Sequence, residues 1–128
     1  MEIDGVVKGN AGTEGARMRG WFFGQFMPDE AHRRTDFELK WGIHPKGERE
    51  EHGWVANKTS TTFSMLVEGR FLIRMRRGDQ IDEVRLEERG DYVMWEPGVE
   101  HSWEAPEDCI ILSVRCPSVP DDQVVRPL

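Results

Sequence analysis

The sequence predicts an all-β, antiparallel domain, either a sandwich or a closed barrel, and three observations carry that prediction. Apolar residues fall into about nine or ten short runs, each too brief for a buried helix. Turn-forming Gly, Pro, Asn and Asp punctuate these runs every 6–12 residues. No amphipathic stretch exceeds two helical turns, and neither a repeat nor a linker divides the 128 residues. That length suits a single domain (1–128) burying roughly 65–70% of its extended surface.

Taken in order, residues 1–16 hold four glycines and few apolar side chains, the composition of a loose or weakly paired lead-in. Trp21 to Met27, between Gly20 and Pro28, reads as a buried aromatic strand, and 28–35 as a polar connection. From Asp36 the alternation is clear: Phe37, Leu39, Trp41 and Ile43 on one side, Glu38, Lys40, Gly42 and His44 on the other. This is a half-buried strand, ended by Pro45-Lys46-Gly47. After a charged turn come a short extended piece at 54–58 and a β-branched run at 59–67. Glu68-Gly69 then turns the chain into Phe71 to Met75, a hairpin signature. Gly78-Asp79 turns into the alternating strand Ile81 to Leu86. Cys109 to Val114 is the last long apolar strand, and the prolines and paired aspartates of 117–128 predict an exposed tail.

Composition excludes several classes of function. A net charge of −7 disfavours nucleic acid or an anionic membrane as partner, since both need a basic surface. The basic run Arg74-Met75-Arg76-Arg77 beside Gly78-Asp79 reads as a solvated hairpin tip in preference to a phosphate site. No window reaches the ~18 apolar residues of a membrane helix, and the start, Met-Glu-Ile-Asp-Gly, lacks the pattern of a secretory signal. Cys109 and Cys116 lie on one extended strand, more than about 20 Å apart at ~3.3 Å per residue, too far for a disulfide. Free thiols fit a reducing compartment, so the expected location is the cytoplasm.

The most informative stretch is Gly90 to Trp103. Gly90-Asp91 opens a turn, Tyr92 to Trp95 read as a buried strand, and Pro97-Gly98 forces a second turn. His101 then begins the next extended segment, at the mouth of a β-structure. The arrangement resembles the second motif of the cupin family, G-x5-P-x-G-x2-H. Gly90, Gly98 and His101 fall on the family's positions, while Glu96 stands at the proline position and Pro97 is displaced by one. The resemblance is to small single-domain bacterial cupins and spans about residues 37 to 115. It implies a double-stranded β-helix, that is, an antiparallel jelly-roll barrel. An eight-stranded lipocalin-like barrel would match the strand count but not this spacing. The resemblance also implies a homodimer formed through edge strands, with the N-terminal segment as the pairing element.

The first cupin motif, G-x5-H-x-H-x3–4-E-x6-G, would supply two histidines and a glutamate that bind a divalent metal together with the second-motif histidine. Here Gly47 and Gly69 bound the motif, but its ligands are missing. Thr62 falls where the glutamate would be, and the histidine positions fall near Trp54 and Ala56, one residue either way. Neither Trp nor Ala can coordinate a metal, and a neutral hydroxyl replaces a carboxylate poorly. The expectation is therefore a container without a protein-bound metal. The alternative is a rearranged site in which a shifted turn brings His52 toward His101, with His44 or Glu48 completing a set for Fe(II), Mn(II), Ni(II) or Zn(II).

Five tryptophans, Trp21, Trp41, Trp54, Trp95 and Trp103, are many for this length. Most should be core, but Trp54 takes a position the family reserves for an inward ligand and so should wall a cavity. Aromatic walls with a few polar groups suit a planar or apolar small molecule. Thr62, Ser64, His101, Trp103 and Tyr92 are the expected lining. Arg115 ends the last strand and could anchor a carboxylate or phosphate, or could equally pair with Asp108 or Glu104 at the rim. Asn57 and Lys58 could reach the mouth. Three functions are compatible with this reading: a small-molecule-binding protein with a decayed metal site, an enzyme, or a structural protein with a solid core. The enzyme would be a metal-dependent oxygenase or isomerase, or a metal-free epimerase or cyclase with His101 as acid and base.

Overall fold

The computed structural model describes residues 3–126. Met1, Glu2, Pro127 and Leu128, the extremes of the expected lead-in and tail, lie outside the described residues. Among the described residues, ten strands form two five-stranded antiparallel sheets. The strands are β1 (Trp21–Phe23), β2 (Glu38–His44), β3 (Trp54–Asn57), β4 (Thr61–Glu68), β5 (Phe71–Arg77), β6 (Gln80–Leu86), β7 (Tyr92–Trp95), β8 (Glu100–Glu104), β9 (Cys109–Cys116) and β10 (Gln123–Arg126). The first sheet runs β1-β2-β9-β4-β7 and the second β10-β3-β8-β5-β6. The hairpin read at Glu68-Gly69 joins β4 of one sheet to β5 of the other, so the chain changes layers there. Glycine is required at that corner. Gly69 has φ +84, and a Cβ on it would lie 2.1 Å from the Asp108 carbonyl oxygen.

Both ends of the chain are more ordered than their composition suggests. Residues 3–9 are exposed and irregular, but a short helix, α1 (Ala11–Gly15), follows. The Asn10 side chain accepts from Thr13 N–H, and Glu14 returns a bond to Asn10 N–H at 2.6 Å. The expected exposed tail is instead clasped to the domain. β10 pairs with β3, and Asp122 is buried, its carboxylate accepting from Thr59 N–H, Ser60 N–H and the Asn57 amide. Three donors on one carboxylate offset the entropy of ordering a proline-rich segment.

The apolar core lies toward one end of the interior, where Leu66, Phe71, Ile73, Leu86 and Ile111 pack together with Trp95. The basic run on β5 is drawn into ion pairs: Arg74 with Glu104 and Glu83, and Arg76 with Glu100. Cys109 is buried, Cys116 is exposed, and both thiols are free. Among the described residues no helix is long and apolar enough to cross a membrane.

Candidate functional site

Strand register explains how the site is built, because side chains alternate between faces and partners directly opposite share a face. On the interior side of the first sheet, Glu38 pairs with Arg115, Arg115 with Thr62, and Thr62 with Trp95. This gives one continuous row, Glu38, Arg115, Thr62, Trp95, across β2, β9, β4 and β7. The neighbouring row is Lys40, Ser113, Ser64, Val93. The second sheet faces these rows with Val55 and His101, themselves a cross-strand pair, and with Trp103.

Between the sheets lies a cavity of about 470 Å³, walled by Thr62, Ser64, Trp95, His101, Trp103 and Arg115, with Trp21 and Phe26 beside Lys40. Arg19, Glu50 and His52 are also in contact with it. An interior with this much space is not a solid core. His101 and Trp95 pack ring against ring at 4.7 Å between centroids. The Ser64 and Ser113 hydroxyls bond one another at 2.8 Å. Arg115 Nη1 lies 3.5 Å from Glu38 Oε2, and the other Glu38 oxygen accepts from the Ser118 hydroxyl. Four buried polar atoms belonging to cavity-lining residues have no hydrogen-bond partner: Thr62 Oγ1, Trp95 Nε1, His101 Nδ1 and Arg115 Nε.

Burial dominates the electrostatics. It lowers the His101 imidazole to about 4, with the Arg115 charge acting in the same direction, so the ring is neutral at pH 7. Burial lowers the Lys40 ammonium, reinforced by Arg115 and Arg19, and raises the Glu38 carboxyl against the pull of Arg115. His44 is likewise pushed down by burial, and its bond to Glu48 only partly opposes this.

Several expected residues meet here. His101, Thr62, Ser64, Arg115 and Trp103 all line the cavity. Arg115 takes Glu38 as its carboxylate, not Asp108 or Glu104. Two expected residues are placed elsewhere. Trp54 does not wall the cavity: Val55 pairs with His101, so alternation turns Trp54 to the opposite side of its sheet, where the Arg76 guanidinium lies 4.4 Å from its ring centroid. A shift of one residue in the motif count reverses the face. Tyr92 is 65% exposed on the outside of the first sheet, stacked on Phe63, because Trp95 fixes the strand's inward parity. The strand expected to be buried at 92–95 is therefore buried only at its end.

The alternative metal set does not gather. His44 and His52 reach the cavity wall, but His44 is held by Glu48 and packed against Phe71 and Trp103, and His52 is exposed. Among the described residues no group of three or more His, Cys, Asp or Glu converges. The neighbours of His101 are a hydroxyl, an indole and a guanidinium, and this donor set does not fit a divalent cation. Asn57 is buried, and its amide donates to Asp122. Glu38, Lys40, Trp95 and Ser113 were not singled out from sequence. The signal that could have found Glu38 and Lys40 is the polar side of the alternating strand at 38–44.

Neither a family model nor a curated protein matches the sequence. Solved structures do match. A cupin protein from Bacteroides fragilis superposes with a TM-score of 0.53 at 17% identity, over 67% of this chain and 70% of that one. The chain has the cupin fold. A DMSP lyase structure gives a TM-score of 0.61 at 18% identity, covering 84% of this chain but 52% of the lyase, so the chain spans about half of that protein's length. The sugar 3,4-ketoisomerase QdtA from Thermoanaerobacterium thermosaccharolyticum, in complex with TDP, gives 0.58 at 15% identity, over 80% of this chain and 72% of that one. Identities this low establish shared architecture and leave chemistry to the residues themselves.

Proposed function

We propose that this cupin-fold chain binds a small planar molecule between its sheets and that its ancestral metal position has decayed into an organic binding surface. The single observation that carries the reading is the row Arg115, Thr62, Trp95 opposite His101. A guanidinium and a hydroxyl stand where a metal site would need anionic or imidazole donors, and aromatic rings flank a cavity large enough for a ligand. The test has two parts. Protein purified without chelator or affinity metal should carry substoichiometric Fe, Mn, Ni and Zn; one equivalent of any of them overturns the decayed-site reading. Tryptophan fluorescence should respond saturably to a planar probe, 4-hydroxybenzoate or its amide; no response to either rejects the container.

A second reading, a metal-free enzyme, is favoured by one observation: the buried His101 Nδ1 has no side-chain partner, and its ring lines the cavity against Trp95. Held neutral, that nitrogen is available to exchange a proton with a bound substrate. Turnover that disappears in His101→Asn while probe affinity persists would favour this reading. For assembly we propose a homodimer through the outer face of the first sheet. The two central rows of that face, Leu39, Val114, Phe63, Met94 and Trp41, Leu112, Met65, Tyr92, carry no charged side chain in a chain of net charge −7, and Glu68 lies at their margin, so two copies can meet over these rows without burying a charge. A monomeric mass by light scattering rules this out. The free thiols Cys109 and Cys116 support a cytoplasmic location.

A further inference from the structure

The four unpartnered atoms of the cavity share a chemical character. Arg115 Nε and Trp95 Nε1 can only donate hydrogen bonds, and the Thr62 hydroxyl and the neutral His101 Nδ1 can do so according to rotor and tautomer. Unsatisfied groups this deeply buried are rare in native proteins and call for a partner. Thr62 is 1% exposed, His101 6% and Trp95 8%, so the shortfall is not made up by bulk solvent. The Ser64 and Ser113 hydroxyls one row away satisfy each other, which confines the unmet demand to the Arg115, Thr62, Trp95, His101 cluster.

The fixed charges complete the specification. Arg115, Lys40 and Arg19 are the cationic groups lining the cavity, and Glu38 and Glu50 are its carboxylates; Glu38 stands 3.5 Å from Arg115 Nη1 and leaves Nε free. Three cations against two anions leave a single positive charge, and a low-dielectric cavity makes that charge count. A group with one negative charge and acceptor oxygens matches it. A phosphate, with up to two charges and oxygens on all sides, would exceed the charge and meet Glu38.

From this geometry we infer that the cavity recognises a small planar monocarboxylic acid, its carboxylate on Arg115 Nε and the Thr62 hydroxyl and a second oxygen toward Trp95 Nε1 and His101 Nδ1. The inference rests on the container reading proposed above and adds the ligand class. The protein's own guanidinium thereby supplies the positive charge that a metal would supply in the implied ancestral site.

Calorimetric titration of the full chain at pH 7 with 4-hydroxybenzoate, 4-hydroxybenzamide and inorganic phosphate tests it. The acid should bind at least 10-fold more tightly than the amide. Thr62→Val, which keeps shape and removes one donor, should weaken the acid roughly 10-fold and leave the amide unchanged. The double variant Glu38→Gln with Arg115→Met, which removes the guanidinium together with its paired carboxylate and leaves Lys40, should reduce the preference for the acid by weakening acid binding and not amide binding. Equal binding of acid and amide, or a Thr62→Val variant that binds the acid normally, overturns the acid cradle while the container survives. Phosphate binding as tightly as the acid overturns the carboxylate assignment. If neither aromatic probe binds, the cradle and the container fail together.

Discussion

The two faces of the first sheet reverse the usual patterning. Its interior face carries Glu38, Lys40, Thr62, Ser64, Ser113 and Arg115, while its outer face carries Leu39, Val114, Phe63 and Met94 in one row and Trp41, Leu112, Met65 and Tyr92 in the next. Ile43, Tyr92 and Met94 are each at least 60% exposed. In the same strands, further along, the interior becomes apolar at Leu66 and Ile111. A sheet usually puts its apolar side inward because burial of apolar area is the main favourable term in folding. Here the apolar end supplies that term, and the polar end holds groups that cost stability unless something binds them. The contrast separates the part of the fold that stabilises from the part that recognises.

The sharpest break of the comparison lies within β4. Leu66→Ala, at the apolar end, should destabilise by about 2–5 kcal/mol in urea denaturation, as cavity-forming core substitutions do. A loss below ~1 kcal/mol would mean that the core is not where stability resides.

The next effect is pH dependence at the polar end. His101 is depressed to about 4 from an ordinary 6.5. Between those values the unfolded chain takes up a proton that the folded chain refuses, so stability falls as pH is lowered through that window, by up to about 3 kcal/mol, and the loss is complete below it. His101→Asn should lack this component. Equal losses in wild type and variant between pH 7 and pH 4.5 would place the imidazole in solvent.

A smaller effect of opposite sign is expected at Thr62, four residues before Leu66. Thr62→Val removes a buried hydroxyl that has no protein partner and should stabilise the ligand-free protein by about 1 kcal/mol. The same change that weakens acid binding would then strengthen the fold, the signature of a residue kept for recognition. A loss of stability would show that the hydroxyl is already satisfied.

The smallest change in monomer stability concerns the outer face. Met94→Glu should alter the unfolding free energy of the monomer by less than ~0.5 kcal/mol, yet halve the mass seen by light scattering if a second copy covers that face. An unchanged dimeric mass would move the interface elsewhere.

Much of the fold was legible in local sequence. Strands 38–44, 61–68 and 71–77 announce themselves by alternation, β-branching and the Glu68-Gly69 turn, because these signals depend on neighbours two residues apart. The Gly90, Gly98, His101 spacing pointed to the jelly roll, and counting back from Gly69 through the first motif put Thr62 and Ser64 on the inward side. The errors have one origin. At Trp54 and Tyr92 the strand was identified but its facing was not, and parity is set by the partner strand.

The tail shows the same division. Its composition suggests an exposed segment, yet Asp122 finds three donors on the β3–β4 corner, far away in the chain. By itself, then, the sequence determined that this chain would be an antiparallel β-domain of cupin-like spacing. Tertiary structure alone decided which side of each strand looks inward, and it thereby placed Arg115 between Glu38 and Thr62. The reason is that alternation specifies two faces but only cross-strand register, a long-range property, says which of them is buried.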